Sequence, residues 1–481
     1  MRLPPNKTRI VATIGPASDD PAMLERLLLA GVNVARLNFS HGDFSDHKDR
    51  IARIRAAEEA TGIRVTIMAD LPGPKMRIGQ IAEEPINLAA DDPFTLTTEE
   101  IIGDARRVSM SFEALPKVVK NGDRLFLNDG LVQLIVESVD GSEVHCKTVV
   151  GGELRSKKGL NLPGIDLGIS AFTEHDRSCL EFALANGVDA VSQSFVERAS
   201  DIEAVRDAAR SFGRIPFIIA KIERIDALKN FDEILAATDG IMVARGDLGV
   251  EVPIEDMALI QKKLIAGANA AGKPVITATQ MLESMTYSRL PTRAEATDVA
   301  NAILDGTDCI MLSGESAMGK FPEESVRMLS RIATSAESHR DKERAGEEVA
   351  PHKLSELTNA DETIAAVVQY SIDVAPASAV FVPTYSGTTP RHISRYKPRI
   401  WIVAITRDPA VCRGLHFSYG VRAIQADEDP EDWKEFADQW LREHDLPRQL
   451  VILMAGPSAR NPDANYRVEF LRLAKETSTE F

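Results

Sequence analysis

Short runs of apolar residues alternate along the chain with stretches whose apolar positions recur at helical spacing. Each run suits one buried strand, and the stretches between them, such as 44–61 and 257–271, predict amphipathic helices. Strand–helix alternation is typical of a parallel sheet, and eight such units favour a closed (β/α)8 TIM barrel over an open sheet. The predicted strands are residues 10–14, 34–39, 65–69, 188–191, 217–220, 241–244, 275–278 and 309–312.

The alternation stops between the third and fourth predicted strands. Residues 73–160 have the pattern of short strands joined by turns, such as Asn-Gly-Asp at 121–123. We interpret them as a small β-barrel domain inserted at the catalytic end of the TIM barrel, where insertions typically form lids. A second α/β pattern after residue 359 predicts a doubly wound domain. The predicted domains are the barrel (1–72 and 161–340), the inserted β lid (73–160) and the C-terminal α/β domain (341–481).

Polar side chains gather directly after the predicted strands. Lys221 and Glu223 follow the fifth strand, and Arg245 and Asp247 follow the sixth. Because the carboxyl ends of all barrel strands meet at one face, which holds the active site, we expect these side chains to converge. Further residues at such strand ends are Arg36, Asn38, Ser40, Asp70, Thr279, Gln280, Ser313 and Glu315.

Glu223 and Asp247 indicate a metal site. Carboxylates are the ligands that Mg²⁺ takes when its other positions hold water and substrate oxygens. Lys221 lies two residues before Glu223 and therefore shares its strand face, where its ammonium group meets any anion held by the metal. A metal, a lysine and an anion together predict chemistry on a phosphorylated or enolisable acid.

Composition and charge narrow the partners. The formal net charge of -16 argues against nucleic acid, so an anionic substrate needs a locally positive pocket, for which Arg36, Arg77, Lys221 and Arg245 are candidates. No apolar run reaches the roughly 18 residues of a membrane helix, and the first residues lack the apolar core of a signal peptide. The four cysteines are widely spaced, without a CxxC pair, which favours free thiols in the cytoplasm.

With these residues in view, the chain resembles the pyruvate kinase family nearly end to end. Several independent motifs occur in the family order, among them Ala-Arg-Leu-Asn-Phe-Ser-His-Gly at 35–42 and Lys-Ile-Glu at 221–223. The other matching segments are 7–10 with 13–18, 157–164, 242–249, 278–283 and 311–315.

The resemblance implies phosphoryl transfer between phosphoenolpyruvate and ADP, giving pyruvate and ATP in glycolysis, by a homotetramer. It implies that Glu223 and Asp247 hold Mg²⁺ (or Mn²⁺), that Lys221 stabilises charge on the phosphoryl group and the enolate oxygen, and that Arg36 binds the phosphate. The other implied roles are carboxylate binding by Thr279 with the N–H groups of Gly246 and Asp247, protonation through water near Thr279 and Ser313, and nucleotide binding by Asn38, His41 and Arg77.

Position 75 departs from the pattern of the K⁺-requiring relatives, which carry glutamate where this chain carries Lys75. In the family a lysine there accompanies independence from K⁺, since an ammonium group can replace the monovalent ion. We therefore expect no K⁺ requirement. The monovalent-cation site that the resemblance implies comprises Asn38, Ser40, Asp70 and Leu71.

Two further regions leave alternatives open. Many relatives place a nucleotide-contacting lysine where this chain has His175, which is shorter and mostly neutral at pH 7, so that contact is in doubt. The loop after the 379–383 run resembles the family's phosphate loop for sugar-phosphate activators, although a plain helix cap also fits its hydroxyls. The loop residues concerned are Thr384, Ser386, Gly387, Thr388 and Thr389.

Two alternative functions share parts of this pattern. A Mg²⁺-dependent lyase or aldolase would use Glu223 and Asp247 to form an enolate, but gives no reason for a lid or for Arg77. A non-catalytic sugar-phosphate sensor would keep the barrel as a scaffold, which the intact set of Arg36, Lys221 and Thr279 disfavours. ADP-dependent release of pyruvate from phosphoenolpyruvate separates the kinase from the lyase or aldolase, and unaltered turnover of Lys221→Met would favour the sensor.

Overall fold

The chain begins with two β/α units and a third strand. The computed structural model describes residues 3–346, 360–457 and 464–473. Helix α2 begins with reciprocal hydrogen bonds between Asp43 and Asp46 and ends at Gly62, whose φ of 67° suits glycine. These elements are β1 (Arg9–Thr13), α1 (Pro21–Ala30), β2 (Val32–Asn38), α2 (Phe44–Thr61) and β3 (Thr66–Leu71).

After β3 the chain leaves the barrel and forms the predicted β insertion. Its elements are β4 (Ile86–Leu88), β5 (Pro93–Thr97), β6 (Arg107–Ser109), α3 (Leu115–Val118), β7 (Arg124–Leu127), β8 (Val132–Asp140), β9 (Glu143–Val150), β10 (Gly152–Leu154) and β11 (Leu160–Asn161). Six strands form one sheet in the order β11-β7-β8-β9-β5-β6, and β10 pairs with β4. Alternate side chains, such as Phe94, Leu125 and Val144, form its buried core.

The chain then returns to complete the barrel. The elements are α4 (Glu174–Ala185), β12 (Ala190–Gln193), α5 (Ala199–Ser211), β13 (Phe217–Ile222), α6 (Ile225–Lys229), α7 (Phe231–Ala237), β14 (Gly240–Ala244), α8 (Arg245–Glu251), a 3-10 turn (Ile254–Asp256), α9 (Met257–Ala270), β15 (Val275–Ala278), a 3-10 turn (Glu283–Thr286), α10 (Arg293–Leu304), β16 (Cys309–Leu312), α11 (Gly314–Ala317) and α12 (Pro322–Gly346). Eight strands close in the order β1-β16-β15-β14-β13-β12-β3-β2. The predicted TIM barrel is confirmed, although α12 continues past the predicted domain limit at residue 340.

The C-terminal part is a five-stranded sheet with helices on both faces. Its elements are α13 (Ala360–Val374), β17 (Ala379–Pro383), α14 (Thr388–Ser394), β18 (Trp401–Thr406), α15 (Pro409–Gly414), a 3-10 turn (Leu415–Phe417), β19 (Val421–Gln425), α16 (Trp433–Glu443), β20 (Leu450–Ala455) and β21 (Arg467–Arg472). The strand order is β19-β18-β17-β20-β21, with β21 antiparallel to β20. The predicted doubly wound fold is confirmed, while the limits assigned to the three domains stay predictions.

A smaller expectation concerns the cysteines. All four cysteines are free and buried, as their spacing predicted. Within the described ranges, no helix combines the length and the apolar character that crossing a membrane requires.

A phenylalanine of the C-terminal domain fills the amino end of the barrel. Phe417 is fully buried among inward-facing residues such as Val11, Met68 and Met242. Its ring stacks on Phe217, the first residue of β13, with 5.2 Å between centroids and 9° between planes. Because strand β13 begins at this ring and ends at the predicted active site, the C-terminal domain packs directly against a catalytic strand.

We expect Phe417→Ala to lower the free energy of unfolding by about 3–5 kcal/mol, because the truncated ring leaves a cavity inside the barrel. Phe470→Ala is the matched control, since Phe470 is 51% exposed and its truncation should change stability by less than about 0.5 kcal/mol. Urea denaturation followed by circular dichroism measures both. Equal unfolding midpoints for the two variants would show that the buried ring contributes no special stability.

Candidate active site

The carboxyl ends of the barrel strands and the lid enclose a polar cavity of about 260 Å³. The barrel contributes side chains from five neighbouring strand ends, and the lid contributes Asp129 and the 159–161 segment. The convergence predicted from the strand-end pattern is therefore present. The predicted site residues that line the cavity are Arg36, Asn38, Ser40, Asp70, Lys75, Arg77, Lys221, Glu223 and Asp247.

Lys221 lies at the centre of the charged groups. Its Nζ is 2.8 Å from Glu223 Oε1 and 3.5 Å from Asp70 Oδ1, and it donates a hydrogen bond to Ser194 Oγ at 2.7 Å. Burial by itself lowers the pKa of Lys221, but the Asp70 and Glu223 carboxylates outweigh it and leave the pKa above its usual value. The side chain is therefore a buried ammonium group that is charged at neutral pH.

Glu223 and Asp247 form a pair of buried carboxylates beside that ammonium group. Burial raises the pKa of both groups, and the attraction of Lys221 opposes that rise. Their mutual repulsion raises the pKa of Glu223 further, and Asp129 of the lid does the same for Asp247. A divalent cation between them would favour both ionised forms.

Arg36 and Asp70 form a second ion pair at the ends of β2 and β3. Arg36 Nε donates to Asp70 Oδ2 at 3.0 Å, Arg36 Nη1 donates to Thr13 Oγ1 at 2.9 Å, and Ser192 Oγ donates to Asp70 Oδ1 at 2.6 Å. Burial raises the pKa of Asp70, but Lys221 and Arg36 overcome this and lower it to about 2. The ionised Asp70 carboxylate therefore holds the Arg36 guanidinium and the Lys221 ammonium in place at neutral pH.

Lys75 and Arg77 bring positive charge from the start of the lid. Burial, Arg77 and Lys221 lower the pKa of Lys75 to about 8, against the opposing effect of Asp70 and Asp247. Arg77 Nη1 donates to Lys157 O at 2.9 Å, which joins the two chain segments that connect the lid to the barrel. The cavity is thus positive on its lid side, although the chain as a whole is acidic.

Thr279 and Gly246 lie at neighbouring strand ends beside the cavity. Gly246 N–H donates to Thr279 Oγ1 at 2.8 Å, and Thr279 has a φ of 67°, a left-handed conformation that is rare for threonine. Ser313 follows β16, and its N–H donates to Glu315 Oε2 at 2.8 Å. These residues, with His41 and Leu71, do not line the cavity.

The interpretation of Arg245 as a cation of the pocket is wrong. Its guanidinium turns away from the cavity and donates to Ala278 O at 3.1 Å and Thr279 O at 2.7 Å, and it pairs with Asp298 at 2.8 Å. Arg245 instead fixes the end of β15. A strand-end position predicts the face on which a residue lies but not the direction of a long, flexible side chain.

His175 also lies outside the cavity lining. It occupies the first turn of α4, and its Nε2 is 3.6 Å from Cys179 Sγ in the next turn of the same helix.

The predicted phosphate loop precedes α14, which begins at Thr388. Gly387 has a φ of 79°, and its N–H donates to Thr384 Oγ1 at 3.0 Å. Ser386 Oγ and Thr388 Oγ1 lie 2.9 Å apart. The loop is thus an ordered turn with exposed hydroxyl groups.

The sequence interpretation missed Ser194, Phe195, Asn161 and Asp129, which all line the cavity. Ser194 and Phe195 follow β12, so the rule that located Lys221 and Asp247 would have found them. Asn161 donates to Asp247 through its side chain. No strand-end rule points to Asp129, because it reaches the cavity from the tip of the lid.

Comparison with known proteins agrees with this geometry. The family model for the pyruvate kinase barrel domain matches residues 5–326, and that for the pyruvate kinase alpha/beta domain matches residues 361–466. A pyruvate kinase of Thermococcus litoralis is 47% identical over 432 residues, which cover 89% of this chain and 90% of that protein. Pyruvate kinase 2 of Synechocystis sp. is 41% identical over 465 residues, covering 94% of this chain and 77% of that protein.

The fold agrees as well. The crystal structure of a pyruvate kinase from Cryptosporidium parvum superposes with a TM-score of 0.89 at 36% identity, covering 98% of this chain and 97% of that chain. The matches thus extend over the barrel, the inserted lid and the C-terminal sheet. The chain therefore belongs to the pyruvate kinase family.

Proposed function

We propose that this chain transfers the phosphoryl group of phosphoenolpyruvate to ADP, giving pyruvate and ATP, with Mg²⁺ or Mn²⁺ as the divalent cation. Pyruvate kinases are glycolytic phosphotransferases that generally need a divalent metal. The observation that carries the proposal is the Lys221 ammonium, 2.8 Å from Glu223 Oε1, in a cavity that Asp247 and Arg36 also line.

The donor set fits such a cation. Glu223 and Asp247 are buried carboxylates whose pKa values burial raises, so a cation would relieve the cost of keeping both ionised. Within the described residues, no cluster of three or more His, Cys, Asp or Glu side chains converges on a metal position. Two carboxylates suit Mg²⁺, which keeps positions for water and substrate oxygens and, when bound, neutralises charge on the phosphoryl and enolate oxygens.

Lys221 and Arg36 supply fixed positive charge for the phosphoryl group. Phosphoryl transfer needs positioning and charge stabilisation more than a covalent nucleophile. Lys221 is held by carboxylates on two sides, and Arg36 is held by Asp70, so neither cation must reorganise during the reaction. The lid covers the site and excludes water that would otherwise accept the phosphoryl group.

The carboxylate of phosphoenolpyruvate binds Thr279 and the N–H groups of Gly246 and Asp247. Support comes from the hydrogen bond that already joins Gly246 to Thr279, since it brings these groups to one place beside Asp247. The enolate that remains after transfer takes a proton from water near Thr279 and Ser313. Asn38 and Arg77 bind the nucleotide from within the cavity, with His41 beside it.

A coupled assay tests the function directly. We expect pyruvate release from phosphoenolpyruvate only when ADP and a divalent cation are both present. Pyruvate release that is independent of ADP would support an enolate-forming lyase or a phosphatase. No turnover with any nucleoside diphosphate would favour the sensor alternative. Family membership favours the kinase over both.

Lys75 makes K⁺ unnecessary. Its ammonium group lies in the cavity with Asn38, Ser40 and Asp70, which the family uses with Leu71 for a monovalent cation, and Asp70 and Asp247 attract it. Because the pKa of Lys75 is about 8, the ligand-free enzyme loses this charge as pH rises through that value.

We expect full turnover without K⁺ below pH 8 and activation by K⁺ to appear above it, as Lys75 loses its proton. Lys75→Glu should make turnover depend on K⁺ by about 10-fold or more at every pH, because the variant carries a carboxylate in place of the ammonium. Lys147→Glu, on the outer surface of the lid and 44% exposed, is the control. Strong K⁺ activation of the unaltered enzyme below pH 8 would contradict this role.

The 384–389 loop binds a sugar-phosphate activator. Its exposed hydroxyls, which lie directly before the first turn of α14, suit a phosphate group. We expect the combined variant Thr384→Ala, Ser386→Ala and Thr388→Ala to abolish the activator response while basal turnover stays within about twofold. An unchanged response to a panel of sugar phosphates would rule the loop out.

A cytoplasmic homotetramer stays a prediction that only the family resemblance supports. Light scattering of the purified protein would measure its mass in solution. Fractionation of the source cells would test the location.

A further inference from the structure

Two consecutive residues after β12, Ser194 and Phe195, contact both members of the central ion pair; we call them the brace segment. Ser194 Oγ accepts a hydrogen bond from Lys221 Nζ at 2.7 Å, and Phe195 N–H donates to Glu223 Oε2 at 2.8 Å. Ser194 is 3% exposed, and both residues line the active-site cavity. The brace segment therefore holds the ammonium and the carboxylate from one neighbouring strand end.

Ser194 Oγ and Phe195 N–H are both uncharged, whereas the other two partners of Lys221 are carboxylates. An ammonium group has three N–H donors. Lys221 directs them towards two carboxylates, Glu223 and Asp70, and one hydroxyl group, Ser194. A carboxylate fixes the ammonium but also neutralises it, whereas a hydroxyl fixes it and leaves its charge for the substrate. Ser194 therefore fixes Lys221 without neutralising its charge.

The backbone of the brace segment is held in a strained conformation. Phe195 has a φ of 57°, which a bulky side chain adopts only where its surroundings impose it. Gly73, the first residue of the predicted lid domain, packs against this point: a Cβ on Gly73 would lie 2.9 Å from Phe195 Cδ2 and 3.1 Å from Ser194 O. In this backbone conformation Phe195 N–H points at Glu223 Oε2 and donates a hydrogen bond to it.

We propose that Ser194 is a positioning residue for phosphoryl transfer, which keeps the Lys221 ammonium at the reaction centre through a neutral hydrogen bond while Phe195 N–H holds Glu223. The proposal rests on the proposed function of Lys221. It predicts that the hydroxyl of Ser194 matters for turnover and little for substrate affinity, because the charge that Lys221 stabilises develops during transfer.

Steady-state kinetics with three variants test this role. Ser194→Ala should lower kcat by about 10- to 100-fold, the effect of losing a hydrogen bond to a charged group. The KM for phosphoenolpyruvate should change by less than about threefold. The variant keeps the interactions that are equally strong in the ground state and the transition state. Ser194→Thr keeps the hydroxyl and should recover most of kcat. Ser330→Ala is the control, since this buried serine of α12 makes a comparable hydrogen bond to Asn6 Oδ1 at 2.6 Å, far from the cavity.

A crystal structure of Ser194→Ala provides a second readout that does not depend on turnover. We expect Lys221 Nζ to move towards Glu223 and Asp70, out of its position between the three partners. An unmoved Lys221, or a kcat equal to that of the unaltered enzyme, would overturn the positioning role and leave the kinase function intact. If the unaltered enzyme has no kinase activity, the proposed function fails, and the crystal structure still decides whether Ser194 positions Lys221.

Discussion

Lys221→Met should lower kcat by about 10³- to 10⁵-fold, the range over which a fixed cation that stabilises a transferring phosphoryl group acts. Methionine keeps most of the side-chain volume but has no charge. Two buried carboxylates, Glu223 and Asp70, then lose their shared partner. The loss should fall on kcat more than on the KM for phosphoenolpyruvate, because the interaction strengthens in the transition state.

A matched variant and a stability measurement make this result decisive. Lys229→Met removes a lysine of α6 that is 64% exposed and pairs with Asp226, so its turnover should stay within about twofold. Removing one partner of a buried ion pair costs about 3–5 kcal/mol, so circular dichroism must show that Lys221→Met is folded at the assay temperature. A folded Lys221→Met enzyme with normal turnover would remove the basis of the proposed function.

Glu223→Gln should weaken the affinity for Mn²⁺ by about 100-fold or more, and kcat should fall with it. Substitution of residues that only support metal ligands costs about 10- to 100-fold in affinity, and Glu223 is proposed as a direct ligand. The substitution keeps size and an oxygen that can accept the Phe195 N–H, so it tests the charge. Calorimetric or electron paramagnetic resonance titration with Mn²⁺ measures the affinity without turnover.

Glu337→Gln is the control for this variant. Glu337 is 3% exposed, as buried as Glu223, but it accepts the N–H groups of Lys7 and Thr8 just before β1, at the amino end of the barrel. Its substitution should leave the Mn²⁺ affinity unchanged. If Glu223→Gln also binds Mn²⁺ normally, the metal lies elsewhere and the assignment of the two carboxylates is wrong.

Most of the fold was predictable from local pattern. Each barrel strand is a short apolar run, and an interior filled by side chains such as Met242 and Ile276 requires that composition. Strands β19 and β21 of the C-terminal sheet do not have this pattern. Both are partly exposed and lie at the two edges of the sheet, so their sequences lack a continuous apolar run. Helix α12 continues past residue 340 into a mainly charged sequence, 341–346, which has no apolar stripe that predicts a helix.

The site was predictable only in part. The strand-end rule placed Lys221, Glu223, Asp247 and Asp70 on one face of the barrel, and the structure brings all four together. The same rule failed for Arg245, whose guanidinium turns to the carbonyl groups of β15.

The sequence by itself determined the chain order of strands and helices, the face on which polar side chains gather and the family, because these depend on periodicity and short motifs within single elements. Only the tertiary structure decided that Ser194 contacts Lys221, that Asp129 reaches Asp247 from the lid and that Phe417 closes the barrel. Each of these contacts joins residues from separate elements. Their geometry depends on how the barrel, lid and C-terminal sheet pack together, which no local pattern encodes.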